Sequence, residues 1–335
     1  MPIKFQLPAD PMVRFREIYD ALNTQRGFWG DSTPLRFAAL TALSCPGSAV
    51  QVATDIIWTA REIKERSGWF GTLNSPLRFI VSAMLLLNKD KPENFLREVD
   101  RVSTLFREIK LRRGPIYEVL AILLLRLNTD LQPIPDEAVH RFKSIYEHMK
   151  KYHWWLTGPD DFPACAILVN QAAPPEEIGF TIERIYQDLA GRKFSKGDPL
   201  QTAANILYLT GLNAAEVATR YAHLADRFRA AGVRIWQSDY DELAILTFLD
   251  HPAERIVDNV LNYRAAMKEL KPKLDASMTF NLAASLSFIE LVQQNRDTSR
   301  ITDVKALLDM QNIINTQQAA AAAAAASAAA ASAAN

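Results

Sequence analysis

The hydrophobic positions of the chain fall into seven short runs, each apolar on nearly all sides, and a longer amphipathic stretch follows most of them. When the runs are aligned on a central residue, usually alanine, these residues lie 41, 38, 45, 39, 39 and 40 positions apart. Because a segment without a polar face must be buried, each run predicts a short internal helix. The runs cover residues 35–43, 77–87, 116–127, 162–169, 200–209, 240–249 and 280–291.

The longer stretches carry apolar residues at intervals of three and four positions, the period of an α-helix with one buried face. One of them places Phe95, Val99, Val102, Phe106 and Ile109 in this register. Asp10 is expected to cap an opening helix over residues 11–22. Asn213 and Glu216 have the spacing of a capping box at the start of another helix.

These patterns predict an all-α protein made of about seven helical hairpins, each of about 40 residues. Such hairpins stack into an α/α superhelix or solenoid, or close into a toroid. We expect one repeat domain over residues 1–318, whose last helix covers residues 301–318. Residues 319–335 are almost pure alanine and form a separate tail.

Charge and composition indicate which classes of partner and which cell compartment to expect. The chain has 38 basic and 38 acidic residues, so no overall field attracts nucleic acid. The most apolar run, residues 116–127, contains Glu118 and Arg126 and is too short to span a membrane. Cys45 and Cys165 are far apart, which indicates buried free thiols in a reducing cytosol. We therefore expect a cytoplasmic protein that binds neither nucleic acid nor membranes.

Three segments resemble a known family. They are residues 153–168, with the sequence HWWLTGPDDFPACAIL, residues 196–207, with KGDPLQTAANIL, and residues 240–246, with YDELAIL. Together with the alanine-rich tail, they resemble the bacterial family called domain of unknown function 4003, over about residues 10–310. The resemblance implies a bacterial, cytoplasmic protein that forms a single unit, and it brings no activity with it.

The segment from His153 to Asp161 has the most distinctive chemistry. A functional interpretation places His153, Asp160 and Asp161 around a groove as an acid–base or metal-binding set. A structural interpretation lets Asp161 cap the following helix while Trp154 or Trp155 packs against that helix as a hydrophobic staple. The five histidines lack metal-binding spacing on a helix face, so no metal is expected. The sequence has no glycine-rich phosphate loop and only 12 glycines, so no cofactor is expected either.

Further candidates lie at the starts of the short helices and in the loops before them. Glu242 belongs to an acidic cluster with Asp239 and Asp241, for which a solvated helix start is the alternative. Aromatic residues recur in the loops, so Trp154, Trp155 and Trp236 form a candidate binding edge. Polar residues at equivalent places could line a central pocket: Arg36, Arg78, Glu118, Gln201, Glu242 and Asn281.

Two functions follow from this architecture, although no motif in the sequence establishes either. The first is a protein-interaction or scaffold module that binds a protein or peptide, because helical repeats expose long surfaces. The alternative is an enzyme whose pocket lies at the centre of an α/α toroid, with His153, Asp160, Asp161 and Glu242 as its candidate residues.

Overall fold

The computed structural model describes residues 10–25, 32–66 and 71–293, and it contains fourteen α-helices and no strand within these ranges. The all-α prediction is therefore confirmed for this part of the chain. The expected last helix, residues 301–318, and the alanine-rich tail, residues 319–335, lie outside the described residues. The described chain forms two compact units, which meet in sequence between Arg97 and Glu98.

The first unit contains four helices and the beginning of a fifth. In it α1 packs against α2 and α3, while α4 packs against α2 and α3. These helices are α1 (Pro11–Gln25), α2 (Thr33–Thr41), α3 (Ala49–Arg66) and α4 (Arg78–Asn88), followed by α5 (Pro92–Glu108).

The second unit contains the rest of α5 and nine further helices. They are α6 (Pro115–Asn128), α7 (Asp136–Tyr152), α8 (Phe162–Leu168), α9 (Pro175–Gly191), α10 (Asp198–Tyr208), α11 (Ala214–Ala230), α12 (Tyr240–Thr247), α13 (Ala253–Met267) and α14 (Ala276–Gln293). Even-numbered helices contact one another in sequence order, from α6 with α8 to α12 with α14. The odd-numbered helices do the same, from α7 with α9 to α11 with α13.

The two sets of helices differ as the hydrophobic pattern predicts. The even-numbered helices coincide with the seven apolar runs, and every residue of α2 and of α8 is buried. The odd-numbered helices are 15 to 18 residues long, and in α7 the buried residues recur every three or four positions. Burial of these apolar faces supplies the main favourable free energy of the fold.

Two predicted helix caps are confirmed. The carboxylate of Asp10 accepts the backbone N–H groups of Met12 and Val13 at 2.9 and 3.0 Å. The side chain of Asn213 accepts the backbone N–H of Glu216 at 3.0 Å. Each cap satisfies N–H groups that have no partner inside the first turn of a helix.

Arginines on the odd-numbered helices bind backbone carbonyls that follow the next even-numbered helix. Arg141, on α7, donates to three such carbonyls beyond α8. Bonds of this kind join Arg14 with Cys45 and Gly47, Arg101 with Ile134, Arg141 with Val169, Gln171 and Ala173, and Arg220 with Leu249. These carbonyls lie beyond the end of a helix, where no N–H group of that helix can bond to them, and the arginines donate to them instead.

An aromatic cluster holds the start of α8 in the second unit. The ring of Phe162 is fully buried, and its centroid lies 5.4 Å from that of Phe142 and 5.3 Å from that of Tyr146. Both pairs meet edge to face, as does the pair of Phe162 with Phe106 at 6.2 Å. Because Phe162 follows Asp161 directly, this cluster also fixes the segment between α7 and α8.

Candidate functional site

Two tryptophans project into solvent from the segment that joins α7 to α8. Trp154 is 69% exposed and Trp155 is 64% exposed. Their ring centroids lie 5.7 Å apart, and the rings are nearly perpendicular. Such exposure is incompatible with a hydrophobic staple under α8, so that interpretation is wrong for both residues.

His153 lies next to Trp155 and is buried. Its Nε2 atom lies 2.6 Å from Oε2 of Glu183 on α9. The imidazole centroid is 4.4 Å from the ring of Tyr186 and 6.1 Å from the ring of Trp155. His153 thus connects the exposed tryptophans with the packed helices α7 and α9.

Close packing of α7 and α9 brings Glu183 to His153. A Cβ atom at Gly179 would lie 3.3 Å from the carbonyl carbon and the Cβ of His148, which is closer than most side chains tolerate. The absence of a side chain at this position of α9 therefore lets the two helices approach each other.

A cleft opens between these helices beside the imidazole. It encloses about 230 Å³, counting the part open to solvent, and its enclosed part has room for about one water-sized group. Its walls combine aromatic, apolar and polar side chains. They belong to Met149, Tyr152, His153, Gly179, Ile182, Glu183, Tyr186 and Gln201.

Asp161 is buried and receives three N–H donors. Its Oδ2 accepts the backbone N–H of Gly158 at 3.1 Å. Its Oδ1 accepts the side-chain amides of Gln201 and Asn205 at 3.1 and 3.3 Å. Burial raises the pKa of Asp161 to about 8, and the charge of Asp160 adds to this effect, whereas the bonds from Gly158 and Gln201 oppose it.

This arrangement departs from both interpretations of the sequence. Asp161 makes no side-chain bond to the first turn of α8, so it does not cap that helix. Asp160 is exposed, and it does not share the buried network of Asp161. Gln201 links the two buried groups, because it donates to Asp161 and lines the cleft with His153.

The sequence offered a partial signal for these partners. Gln201 and Asn205 stand four positions apart as polar residues in the otherwise apolar α10, and both are buried. Gln201 also donates to the hydroxyl of Thr157 at 3.2 Å. Nothing in the sequence distinguishes Glu183 from the other acidic residues of the amphipathic α9, so sequence reasoning missed it.

The remaining candidates of the second unit lie around α12. Glu242 is buried in its first turn, so the expected solvated helix start is wrong for this residue. Asp239 is also buried and accepts the backbone N–H of Trp236 at 2.8 Å. The indole of Trp236 is 50% exposed, with the guanidinium carbon of Arg234 3.7 Å from its ring centroid.

Two arginine candidates belong to the first unit. Arg36 is fully buried in α2, and its guanidinium carbon lies 5.1 Å from the ring centroid of Tyr19. Arg78 opens α4 and donates to the carbonyls of Asn74 and Ser75. Burial lowers the pKa of the Arg78 guanidinium.

The described residues contain neither a cluster of metal ligands nor a helix that could span a membrane. In residues 10–25, 32–66 and 71–293, His, Cys, Asp and Glu side chains do not gather in threes close enough to hold a metal ion. Helices in the same ranges are all too short or too polar to cross a bilayer.

Comparisons with known proteins place the chain in a family context. A sequence model of the family described as protein of unknown function (DUF4003) matches residues 18–319. The chain is similar to the uncharacterized protein YeaA of Bacillus subtilis (strain 168), with 28% identity over 264 residues. That alignment covers 77% of this chain and 76% of YeaA. No solved structure matches the chain.

Proposed function

The chain belongs to the DUF4003 family, and from the geometry of its candidate site we propose that it is a protein-interaction module. In this proposal, Trp154 and Trp155 are the contact residues for a protein or peptide partner. The observation that carries the proposal is the exposure of two adjacent tryptophans, 69% and 64%, of which Trp155 contacts the buried His153.

Exposed tryptophans favour binding for energetic reasons. An indole has a large apolar area and only two side-chain torsions, so its burial by a partner releases much water at a small cost in entropy. Tryptophan is accordingly among the residues most enriched at binding hot spots. The contact of Trp155 with the imidazole of His153 limits its freedom further, which prepares the surface for a partner.

The contacts of the carboxylates support binding over catalysis. Asp161 directs both oxygens at N–H donors of its own chain, as a structural carboxylate does. His153 pairs with Glu183, so the set of His153, Asp160 and Asp161 that the sequence suggested is not the pairing in the structure. The enzyme hypothesis from the sequence therefore gains no support from this geometry.

We further propose that the helices form tandem hairpin repeats and that the protein acts in the cytoplasm. The alternation of buried and amphipathic helices supports the repeat arrangement, as does the recurring arginine that reaches past the next even-numbered helix. Stacked hairpins bury a continuous core and leave long surfaces for partners. The two buried free cysteines, Cys45 and Cys165, are consistent with a reducing compartment.

The experiment compares partners captured from the native cytosol by the tagged wild type, by the double variant W154A/W155A and by W58A. Trp58, on α3 of the first unit, is a matched control because its side chain is 59% exposed. We expect one set of proteins to be recovered with the wild type and with W58A but lost with the double variant.

The captured partner is then titrated against the same three purified proteins. Loss of a tryptophan hot spot costs at least about 2 kcal/mol, so the double variant should bind about 30-fold more weakly or worse. Equal affinity of the double variant and the wild type would refute the proposed surface.

A further inference from the structure

A pocket in the first unit concentrates positive charge. It lies between the end of α1, one face of α3 and the start of α4, and it encloses about 540 Å³, counting the part open to solvent. This volume is within the size range of small-molecule pockets, about 300–1,000 Å³. The lining includes Arg61, Lys64 and Arg78, and no acidic residue of the described ranges belongs to it. The pocket is therefore suited to an anion.

Helix α3 gives the pocket an apolar base and a charged rim. The lining residues of this helix recur at intervals of three and four positions, so they lie on one side of it. They are Ile57, Ala60, Arg61 and Lys64. Ile57 and Ala60 are buried, whereas Arg61 and Lys64 are exposed. A ligand on this face would meet apolar groups at depth and cations near the solvent.

Two carboxylates of the same helix bond to residues outside the pocket. Oε1 of Glu62 lies 3.1 Å from Nη2 of Arg66, and Oδ1 of Asp55 accepts the amide of Gln51 at 2.8 Å. Neither Arg66 nor Gln51 lines the pocket. These two carboxylates are therefore held by partners other than the cations of the pocket.

The contacts of Arg78 leave one edge of its guanidinium for a ligand. Its Nη1 atom donates to the carbonyls of Asn74 and Ser75 at 2.9 and 3.0 Å. Its guanidinium carbon lies 4.9 Å from the ring centroid of Phe79. These contacts hold the group in place, while the N–H bonds of Nε and Nη2 remain for another acceptor. Together they form the fork that binds two oxygens of a phosphate or a carboxylate.

Partial burial makes Arg78 a better anion site. The side chain is half-buried, and burial lowers the pKa of its guanidinium. Removal of water from a charged group disfavours the charged form, and a nearby opposite charge reverses this effect. An anion in the pocket would therefore stabilise the charge of Arg78.

Charge and shape together select a phosphate monoester. A phosphate group on an ester has a charge of about −1.5 to −2 at pH 7 and three strong acceptor oxygens. Two guanidinium groups and an ammonium complement this charge better than the single charge of a carboxylate. The amide of Gln25 adds neutral donors, because its oxygen already accepts the hydroxyl of Thr54 at 3.2 Å. The ring of Phe79 and the side chain of Ile57 favour an apolar group on the ester.

We propose that this pocket binds a small phosphate monoester, with its phosphate among the three cations and its apolar group against Phe79. The inference goes beyond the proposed function, because the pocket belongs to the first unit and takes a small molecule. Trp154 and Trp155, which carry the proposed function, belong to the second unit.

The test titrates phenyl phosphate into the full chain by isothermal titration calorimetry. Inorganic phosphate lacks the apolar group, benzyl alcohol lacks the charge, and benzenesulfonate has a single charge. We expect phenyl phosphate to bind at least about tenfold more tightly than inorganic phosphate or benzyl alcohol, since burial of a ring or one charged hydrogen bond is worth that factor. It should bind at least about threefold more tightly than benzenesulfonate, because its second charge adds attraction.

Two variants test the cations separately. Arg78→Gln removes the fork and should weaken the binding of phenyl phosphate at least about tenfold. Arg61 is exposed, so Arg61→Gln should keep the fold and weaken binding about threefold. Arg66→Gln, at the end of the same helix and outside the pocket, is the matched control and should bind like the wild type. Thermal unfolding of the three variants shows whether the fold is retained.

Four results would overturn the proposed pocket. The first is the absence of measurable binding of phenyl phosphate, and the second is equal binding of inorganic phosphate, since the apolar base then takes no part. The third is equal binding of benzenesulfonate, which contradicts the selection of a phosphate. The fourth is equal affinity of Arg61→Gln and Arg66→Gln, which places the probe elsewhere. None of these results bears on partner capture by Trp154 and Trp155, so the two proposals can fail separately.

Discussion

Replacement of Phe162 by alanine should be among the most destabilising single changes in the second unit. The side chain of Phe162 is fully buried, and removal of a buried phenylalanine ring costs about 3–5 kcal/mol of unfolding free energy. Three rings meet Phe162 edge to face, and each such pair adds about 0.5–1.5 kcal/mol beyond burial. We therefore expect a loss near the upper end, about 4–5 kcal/mol.

The assay is urea unfolding followed by circular dichroism, with the midpoint and the slope fitted separately. An unchanged slope with a lower midpoint shows that the native state lost stability. Phe162→Leu keeps most of the apolar volume, so its smaller loss, about 1–2 kcal/mol, measures the ring–ring contacts. Phe180→Ala is the matched control, because this phenylalanine is 51% exposed and should cost about 0.5 kcal/mol.

The reasoning would be refuted if Phe162→Ala and Phe180→Ala destabilised the protein equally. In that case, the aromatic cluster would not anchor α8, and the position of the neighbouring Asp161 would need another explanation.

Two further predictions concern the same region. Because the pKa of Asp161 is raised from its ordinary value of 3.8 to about 8, between these pH values the folded protein keeps a proton that the unfolded chain releases. The free energy of unfolding should therefore fall as the pH rises from about 4 to 8, by up to about 1.4 kcal/mol per pH unit. Urea midpoints between pH 5 and 8 should show this slope in the wild type and not in D161N, and identical slopes would contradict it. A Cβ at Gly114 would lie 2.2 Å from a proline ring carbon, so Gly114→Ala should cost about 1–3 kcal/mol, whereas Gly191→Ala meets open space and should not lower the melting temperature.

The helices were predictable because the spacing of apolar residues along the sequence determines which face of each helix is buried. The all-round apolar runs gave the even-numbered helices, and the residues of α8 are buried as their composition requires. Caps such as Asp10 and Asn213 were predictable for a related reason, since their partners lie two or three positions away. Local chemistry of this kind is fully contained in a short stretch of sequence.

The site was only partly predictable, because its contacts join residues that are distant in sequence. The sequence singled out His153 and Asp161, but it paired them with each other. In the structure, His153 meets Glu183, 30 positions later, and Asp161 binds Gln201 and Asn205 from α10. Which acidic or amide side chain reaches a given loop depends on how the helices pack, and an amphipathic pattern does not specify that.

The sequence left two interpretations of the tryptophans open. As large apolar residues next to a helix start, Trp154 or Trp155 could pack against that helix, or both could belong to an exposed binding edge. They project outward, while Phe162 and its ring partners occupy the space in front of α8. A position can therefore be hydrophobic in sequence and available to a partner in the fold.

The hydrogen bonds from arginines to carbonyls after the even-numbered helices hold these loops in a way that does not depend on pH. A guanidinium stays charged at every physiological pH, and a backbone carbonyl has no proton to gain or lose. The hydrogen bonds from Arg141 to three carbonyls therefore persist on acidification, which would instead protonate the carboxylates. Lysine could not replace it, because one ammonium cannot span acceptors that a forked guanidinium reaches together.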